Sequence, residues 1–298
     1  MNFKQFDPEI GVEGYCSAIH DSLYPNAAPE SIDLAGLRMV NRVYAMGSIF
    51  SRVRSIREVD IEHFLSGKVL IKEFLPPKKS VAPTSVGRFN YSGERKLYLA
   101  DHPYVALMEC GIKPGDYFLY SYFSFKVDAF FVEANVKGST AKDLINSLFQ
   151  SEDGNFYEVI NRVYEKYFNY EGLHGVVYDS VRVQKGFKHE TWGDISSTSN
   201  LAIKEQDLSL ASFMGGWLAR CDDHYRPVYL RSFSPMLNPK KKSKLSTVSY
   251  HQEKPKFKLE YSRVMKEVNR LRGFSKLRLD NCEFSEPPSV LVKVNYKD

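Results

Sequence analysis

The chain has 298 residues, 43% hydrophobic and 26% charged, with a formal net charge of +5, enough apolar content to bury one large core or two small ones. Its longest apolar runs, such as "VALM" and "AFFV", fall well short of the roughly 20 residues that span a bilayer, and "MNFKQFDPEI" has no basic stretch leading into an apolar one. A soluble, cytoplasmic protein with no membrane partner is expected. Cys16, Cys110, Cys221 and Cys282 show neither CxxC spacing nor histidines at metal-ligand intervals, so reduced thiols are expected, with no zinc site and no disulfide framework. Charge is uneven: residues 237–298 hold 15 Lys and Arg against 7 Asp and Glu, a net of +8, leaving the remainder near −3. A lysine run beside Pro and Ser reads as a solvated linker, and without interleaved aromatic residues nucleic-acid binding is not expected.

From Asn26 to Met46, Leu34, Leu37, Val40 and Val43 recur at three-residue steps behind Ser31 as a cap, and a helix is predicted. "SIFSRVRSI" reads as a strand with Arg52 and Arg54 on one side and Val53 on the other. Three prolines in "FLPPKKSVAPTSVG" make it a loop. It delivers the chain into "GRFNYSGERKLYLADHPYVALME", a polar turn, a short strand "KLYLAD", and a helix beginning near Pro103. "YFLYSYFSFKVDAFFVEAN" predicts one or two strands. Residues 155–170 predict an amphipathic helix burying Phe156, Val159, Ile160, Val163, Tyr164 and Tyr167. "HGVVYDSVR" and "NLAIK" predict two more strands, and a helix is expected from Leu259 to Arg272, stopped by Gly273. Residues 1–48 therefore read as a helical extension, 49–205 as the catalytic domain with a helical insertion at about 138–170, and 206–298 as a basic appendage.

Taken singly, Arg88, Tyr98, Glu109 and Ser180 each have an ordinary structural explanation. Their spacing is more informative, because a turn, strand and following helix can bring a basic group, a phenol and a carboxylate around one cleft. "GRFNYSGERKLYLADHPYVALME" resembles the core of the RES domain family, in which a GRFN or GRWN turn precedes a "YLA" strand and an "AL.E" helix. Arg88, Tyr98 and Glu109 match that family's arginine, tyrosine and glutamate. "FSRVR" resembles its opening strand, with Ser51 where an aromatic residue commonly precedes the arginine, so Arg52 and Arg54 both remain candidates. "GVVYDSVR" supplies Ser180 as the serine and "SNLAI" supplies Asn200, the likeness running from about Ile49 to Lys204.

The resemblance implies an α+β, ADP-ribosyltransferase-like fold with a central split sheet and flanking helices. It also implies NAD as substrate, with no bound cofactor, and cleavage of the nicotinamide–ribose bond by phosphate or water in a toxin or defence effector. A helix-turn-helix antitoxin occluding the cleft is the implied partner, and a homodimer is a possibility left open. The chemistry of the residues agrees with that reading. Arg52 and Arg88 suit a pyrophosphate through forked hydrogen bonds, and Glu109 suits an oxocarbenium-like transition state. Tyr98 can pack against nicotinamide or ribose, while Ser180 and Asn200 offer neutral hydrogen bonds. His189 is expected on a loop bordering the cleft; His102 and His174 are expected in capping or turn positions. Two competing readings are transfer of ADP-ribose to a macromolecule and a catalytically silent partner-binding module.

Overall fold

Runs of aromatic and β-branched residues build a large, mostly antiparallel sheet in the computed structural model, which describes residues 2–25, 32–38, 40–77, 85–133, 140–236, 244–279 and 288–294. In chain order the elements are α1 (Gly11–Leu23), β1 (Ile32–Arg38), β2 (Val40–Tyr44), β3 (Ile49–Ile56), α2 (Ile61–Leu65), β4 (Leu97–Ala100), α3 (Pro103–Glu109), β5 (Tyr117–Phe125) and β6 (Ala129–Glu133). There follow α4 (Thr140–Phe149), α5 (Tyr157–Tyr167), β7 (Gly175–Asp179), β8 (Phe187–His189), β9 (Gly193–Ile195), β10 (Ser199–Ile203), β11 (Ala211–Cys221), β12 (Pro227–Pro235), β13 (Leu245–Ser249), α6 (Lys254–Leu279) and β14 (Pro288–Val294). Ten strands join in the order β13-β12-β11-β5-β3-β4-β10-β7-β6-β2, with β6 and β7 parallel. Strands β1 and β14 pair separately, as do β8 and β9. The fold class is α+β.

Alternation along the strands sorts the core into two faces. One face buries Leu97, Leu99, Leu119, Phe123, Leu201 and Ile203 against Phe64 of α2 and Phe74. The other has two separate covers. Helices α1, α4 and α5 lie over Val132, Val176, Tyr178 and Ala202, with the expected stripe of α5 fully used. Helices α3 and α6 lie over Ile49, Val53, Tyr120, Tyr122 and Trp217. Gly215 allows α6 to approach: a Cβ there would stand 2.8 Å from Val264 Cγ1.

Several expectations need correction. Within the segment expected to be helical from Asn26, the described residues form β1 and β2, whose partners are β14 and β6; Ser31 lies outside the described residues. Ile32 faces Val294 in register, and a pairing between opposite ends of the chain leaves no local trace for a periodicity argument. The expected boundary near Gln206 does not interrupt the sheet, because β11 pairs with β5 and is followed by β12 and β13. The basic stretch read as a linker contains β13 and the first turn of α6. Gly273 does not end α6, which continues to Leu279. Among the described residues no helix is long and apolar enough to cross a membrane.

Candidate active site

Strands β3 and β4 share one bridge, Ser51 to Ala100, although both continue beyond it. Where they part, and where the two helical covers meet, a cavity of about 390 Å³ opens. Of the residues singled out in the sequence, Arg52, Arg54, Arg88, Tyr98, Glu109 and Asn200 line it. Ser180 reaches it through Glu109.

The GRFN turn forms one wall. Gly87 and Asn90 exchange backbone hydrogen bonds of 3.0 and 3.4 Å, and the Asn161 amide of α5 donates to the carbonyls of Gly87, Asn90 and Tyr157 at 3.0, 3.2 and 2.7 Å. A Cβ at position 87 would lie 2.2 Å from Asn90 Oδ1, so only glycine fits. The Tyr98 hydroxyl closes the turn, donating to Asn90 Oδ1 at 2.8 Å and accepting from the Phe89 N–H at 3.1 Å. Burial raises its pKa and keeps it a neutral phenol. The hydroxyl expected to orient a substrate is thus committed to the turn, although the residue lines the cavity.

Arg88 is committed too. Its Nη1 donates to the Phe149 carbonyl at 2.7 Å and its Nη2 to that of Ser151 at 3.1 Å. The guanidinium packs 5.6 Å from the ring of Tyr178 and 6.0 Å from that of Tyr157. The forked pyrophosphate clamp expected of Arg88 is therefore turned toward the loop after α4, and the residue locks that loop to the turn.

Helix α3 delivers the carboxylate. His102 caps it through Nδ1, which accepts from the Tyr104 N–H at 3.1 Å, and Pro103 follows where no N–H is needed. Burial, with Arg272 nearby, pushes His102 down to about 4, so the ring stays a neutral acceptor. Gly111 turns the chain out of the helix at φ +65°. Glu109 Oε1 accepts from Ser180 Oγ at 2.5 Å. Ser180 Oγ in turn accepts the N–H groups of Arg182 and Val183, both at 3.1 Å. With two N–H groups aimed at its oxygen, its single proton points at the carboxylate, and Ser180 is a positioning residue for Glu109. Oε2 has no hydrogen-bond partner among the described residues.

The two arginines of β3 separate. Arg54 Nη1 donates to the Glu73 carbonyl at 2.9 Å. The Arg52 guanidinium has no hydrogen-bond partner among the described residues, and burial, aided by Arg54, pushes its pKa down to about 10. It remains charged at neutral pH and, among the described residues that line the cavity, is the cation without a hydrogen-bond partner. Two lining residues, Tyr157 and Tyr178, escaped the sequence reading. Burial and then the Glu109 charge push the Tyr178 phenol well up. Tyr178 stands two residues before Ser180, and strand alternation was the signal available for it. His189 does not line the cavity; its ring lies 4.5 Å from that of Tyr104 in a separate aromatic group. Cys110 turns its thiol onto the Val53 carbonyl at 3.1 Å, and desolvation of the sulfur raises its pKa to about 11, although the residue as a whole is exposed. Comparison of the chain with protein-family models, curated proteins and solved structures returns no match.

Proposed function

We propose that the protein consumes NAD by breaking the bond between nicotinamide and ribose. The observation that carries this reading is one cavity holding a cation, Arg52, and a carboxylate, Glu109, where among the described residues the guanidinium has no hydrogen-bond partner and the carboxylate is held on one oxygen only. NAD needs both: a cation for the pyrophosphate and a carboxylate beside the ribose. In the reaction the C1′–N bond breaks and its electron pair leaves with nicotinamide, which becomes neutral, so no acid is required. The developing oxocarbenium charge is met by Glu109, held by Ser180 and standing at the negative end of α3. A phosphate or water oxygen then bonds to C1′, water losing a proton as it does so. Tyr157, which lines the cavity and is only partly buried, supplies an aromatic surface for the pyridinium ring.

Phosphorus NMR of the purified protein with NAD, with and without inorganic phosphate, tests the reading. Phosphate-dependent ADP-ribose 1-phosphate identifies phosphorolysis, and free ADP-ribose in both buffers identifies hydrolysis. ADP-ribose attached to a macromolecule identifies transfer, whereas intact NAD overturns the proposal.

A further inference from the structure

The ring of Tyr178 is already packed. Phe89 lies 4.9 Å from it, tilted by 51°, and the Arg88 guanidinium stands 5.6 Å from its centroid. The residue is 4% exposed, yet it lines the cavity. Among the described residues, polar atoms that are both sealed from solvent and unpaired include Asn200 Nδ2 and the Trp217 indole N–H, but not the Tyr178 hydroxyl. That hydroxyl makes no hydrogen bond with any described residue either, so it opens on the cavity. A phenol buried this far is ordinarily paired.

Its charged neighbour is Glu109. After burial, the Glu109 charge is the strongest influence on the phenol. Ser180, which holds Glu109 Oε1 at 2.5 Å, follows Tyr178 by two residues, roughly 7 Å along the chain. Glu109 Oε2 is likewise without a partner among the described residues. The phenol keeps its proton at neutral pH and can donate it to a hydrogen bond, whereas the carboxylate only accepts. A ligand group seated between the two has to accept from one and donate to the other, and a hydroxyl does both. A pyrophosphate oxygen carries no proton and would meet Glu109 as like charge against like. In the reaction proposed above the group beside Glu109 is the ribose, which brings two hydroxyls.

We infer that Tyr178 is a substrate-binding residue that donates a hydrogen bond to a hydroxyl of the nicotinamide ribose, which donates in turn to Glu109 Oε2. This rests on the NAD reading above and adds to it a neutral donor that distinguishes ribose from deoxyribose. The bridge holds the sugar against the carboxylate that meets the oxocarbenium charge, and it leaves Arg52 to the pyrophosphate. Tyr178 serves the sugar and Ser180 serves the carboxylate, from neighbouring positions on one stretch of chain.

The test compares kcat/KM of the wild type and Tyr178→Phe on NAD and on analogues lacking the 2′- or the 3′-hydroxyl of the nicotinamide ribose, with uncatalysed loss subtracted. On NAD the variant should lose roughly tenfold. On one of the two analogues the wild type and the variant should turn over equally, because the partner of the phenol is gone, and that analogue identifies the hydroxyl bound. No loss on NAD, or a loss that both analogues share, overturns the inference and leaves the NAD reading standing. If NAD is not consumed at all, the cleavage reading falls and the same comparison is made on dissociation constants by titration calorimetry. The subsite then stands if the substitution weakens NAD about tenfold and leaves one analogue unaffected, and it falls otherwise. Tyr178→Phe keeps the ring against Phe89 and Arg88 and deletes a hydroxyl that bonds no described residue, so its melting temperature should equal or exceed that of the wild type. A clear drop would give the hydroxyl a structural role and would also overturn the inference.

Discussion

On the wall of the cavity formed by the GRFN turn and α5, polar groups already have protein partners: Arg88 bonds two carbonyls, Tyr98 bonds the turn, and Asn161 ties the turn to its helix. On the facing wall, from β3, β10 and the end of α3, the Arg52 guanidinium, Asn200 Nδ2 and Glu109 Oε2 have none among the described residues. The contrast separates the residues that build the site from those left to act in it. Proximity to a cavity does not distinguish the two groups, whereas their hydrogen bonds do.

The largest effect is expected on the open wall. Glu109→Gln keeps the shape and the contact with Ser180 but removes the charge, and NAD turnover should fall about 100- to 1,000-fold with an unchanged melting temperature. Equal turnover by a folded variant would remove Glu109 from the chemistry. Next come the two arginines as a matched pair. Arg88→Ala strands two buried carbonyls and should cost on the order of 3 kcal/mol in denaturant unfolding. Arg52→Ala should leave stability equal or higher while raising the Kd for NAD about 10- to 100-fold. The reverse pattern, a stable Arg88→Ala and an unfolded Arg52→Ala, would break the distinction between the walls.

Gly87→Ala forces a Cβ against Asn90 Oδ1 and should cost on the order of 2 kcal/mol, with the variant's residual activity following its folded fraction. The smallest effect concerns Asp101, just past β4, which donates nothing to the cavity but extends the closed frame through a 2.6 Å bond from Ser197 Oγ. Burial raises its pKa to about 6, against the lowering influence of Ser197 and Arg42. The folded state therefore holds this proton more tightly than the unfolded chain, whose aspartates titrate near about 4. Its contribution is fully present below about pH 4 and is lost as pH rises through about 6, on the order of 1–2 kcal/mol after allowance for partial exposure. The difference in unfolding free energy between Asp101→Asn and the wild type should shift in favour of the variant across that window and stay flat above it.

Much of the central frame was legible from residue order. The strands at "SIFSRVRSI", "KLYLAD" and "HGVVYDSVR", the helix starting at Pro103 and the stripe of α5 follow local patterns of alternation, capping and 3.6-residue periodicity. The spacing within "GRFNYSGERKLYLADHPYVALME" likewise pointed to one cleft containing Arg88, Tyr98 and Glu109, and all three line it. What that spacing left open was which way each side chain spends its hydrogen bonds. Arg88 and Tyr98 face partners 61 residues downstream and 8 residues upstream, respectively, and Arg54 is held by Glu73. The choice of Arg52 over Arg54 came from those contacts.

The sequence by itself determined the local elements and the set of chemistry-bearing residues, because capping, alternation and turn chemistry act between neighbours in the chain. Only the tertiary structure decided that β1 pairs with β14, that β11 to β13 extend the same sheet, and that Ser51, Ala100 and Asn200 stand in one row. Each of those depends on register between distant strands, which is set by burial of whole sheet faces and not by any short segment.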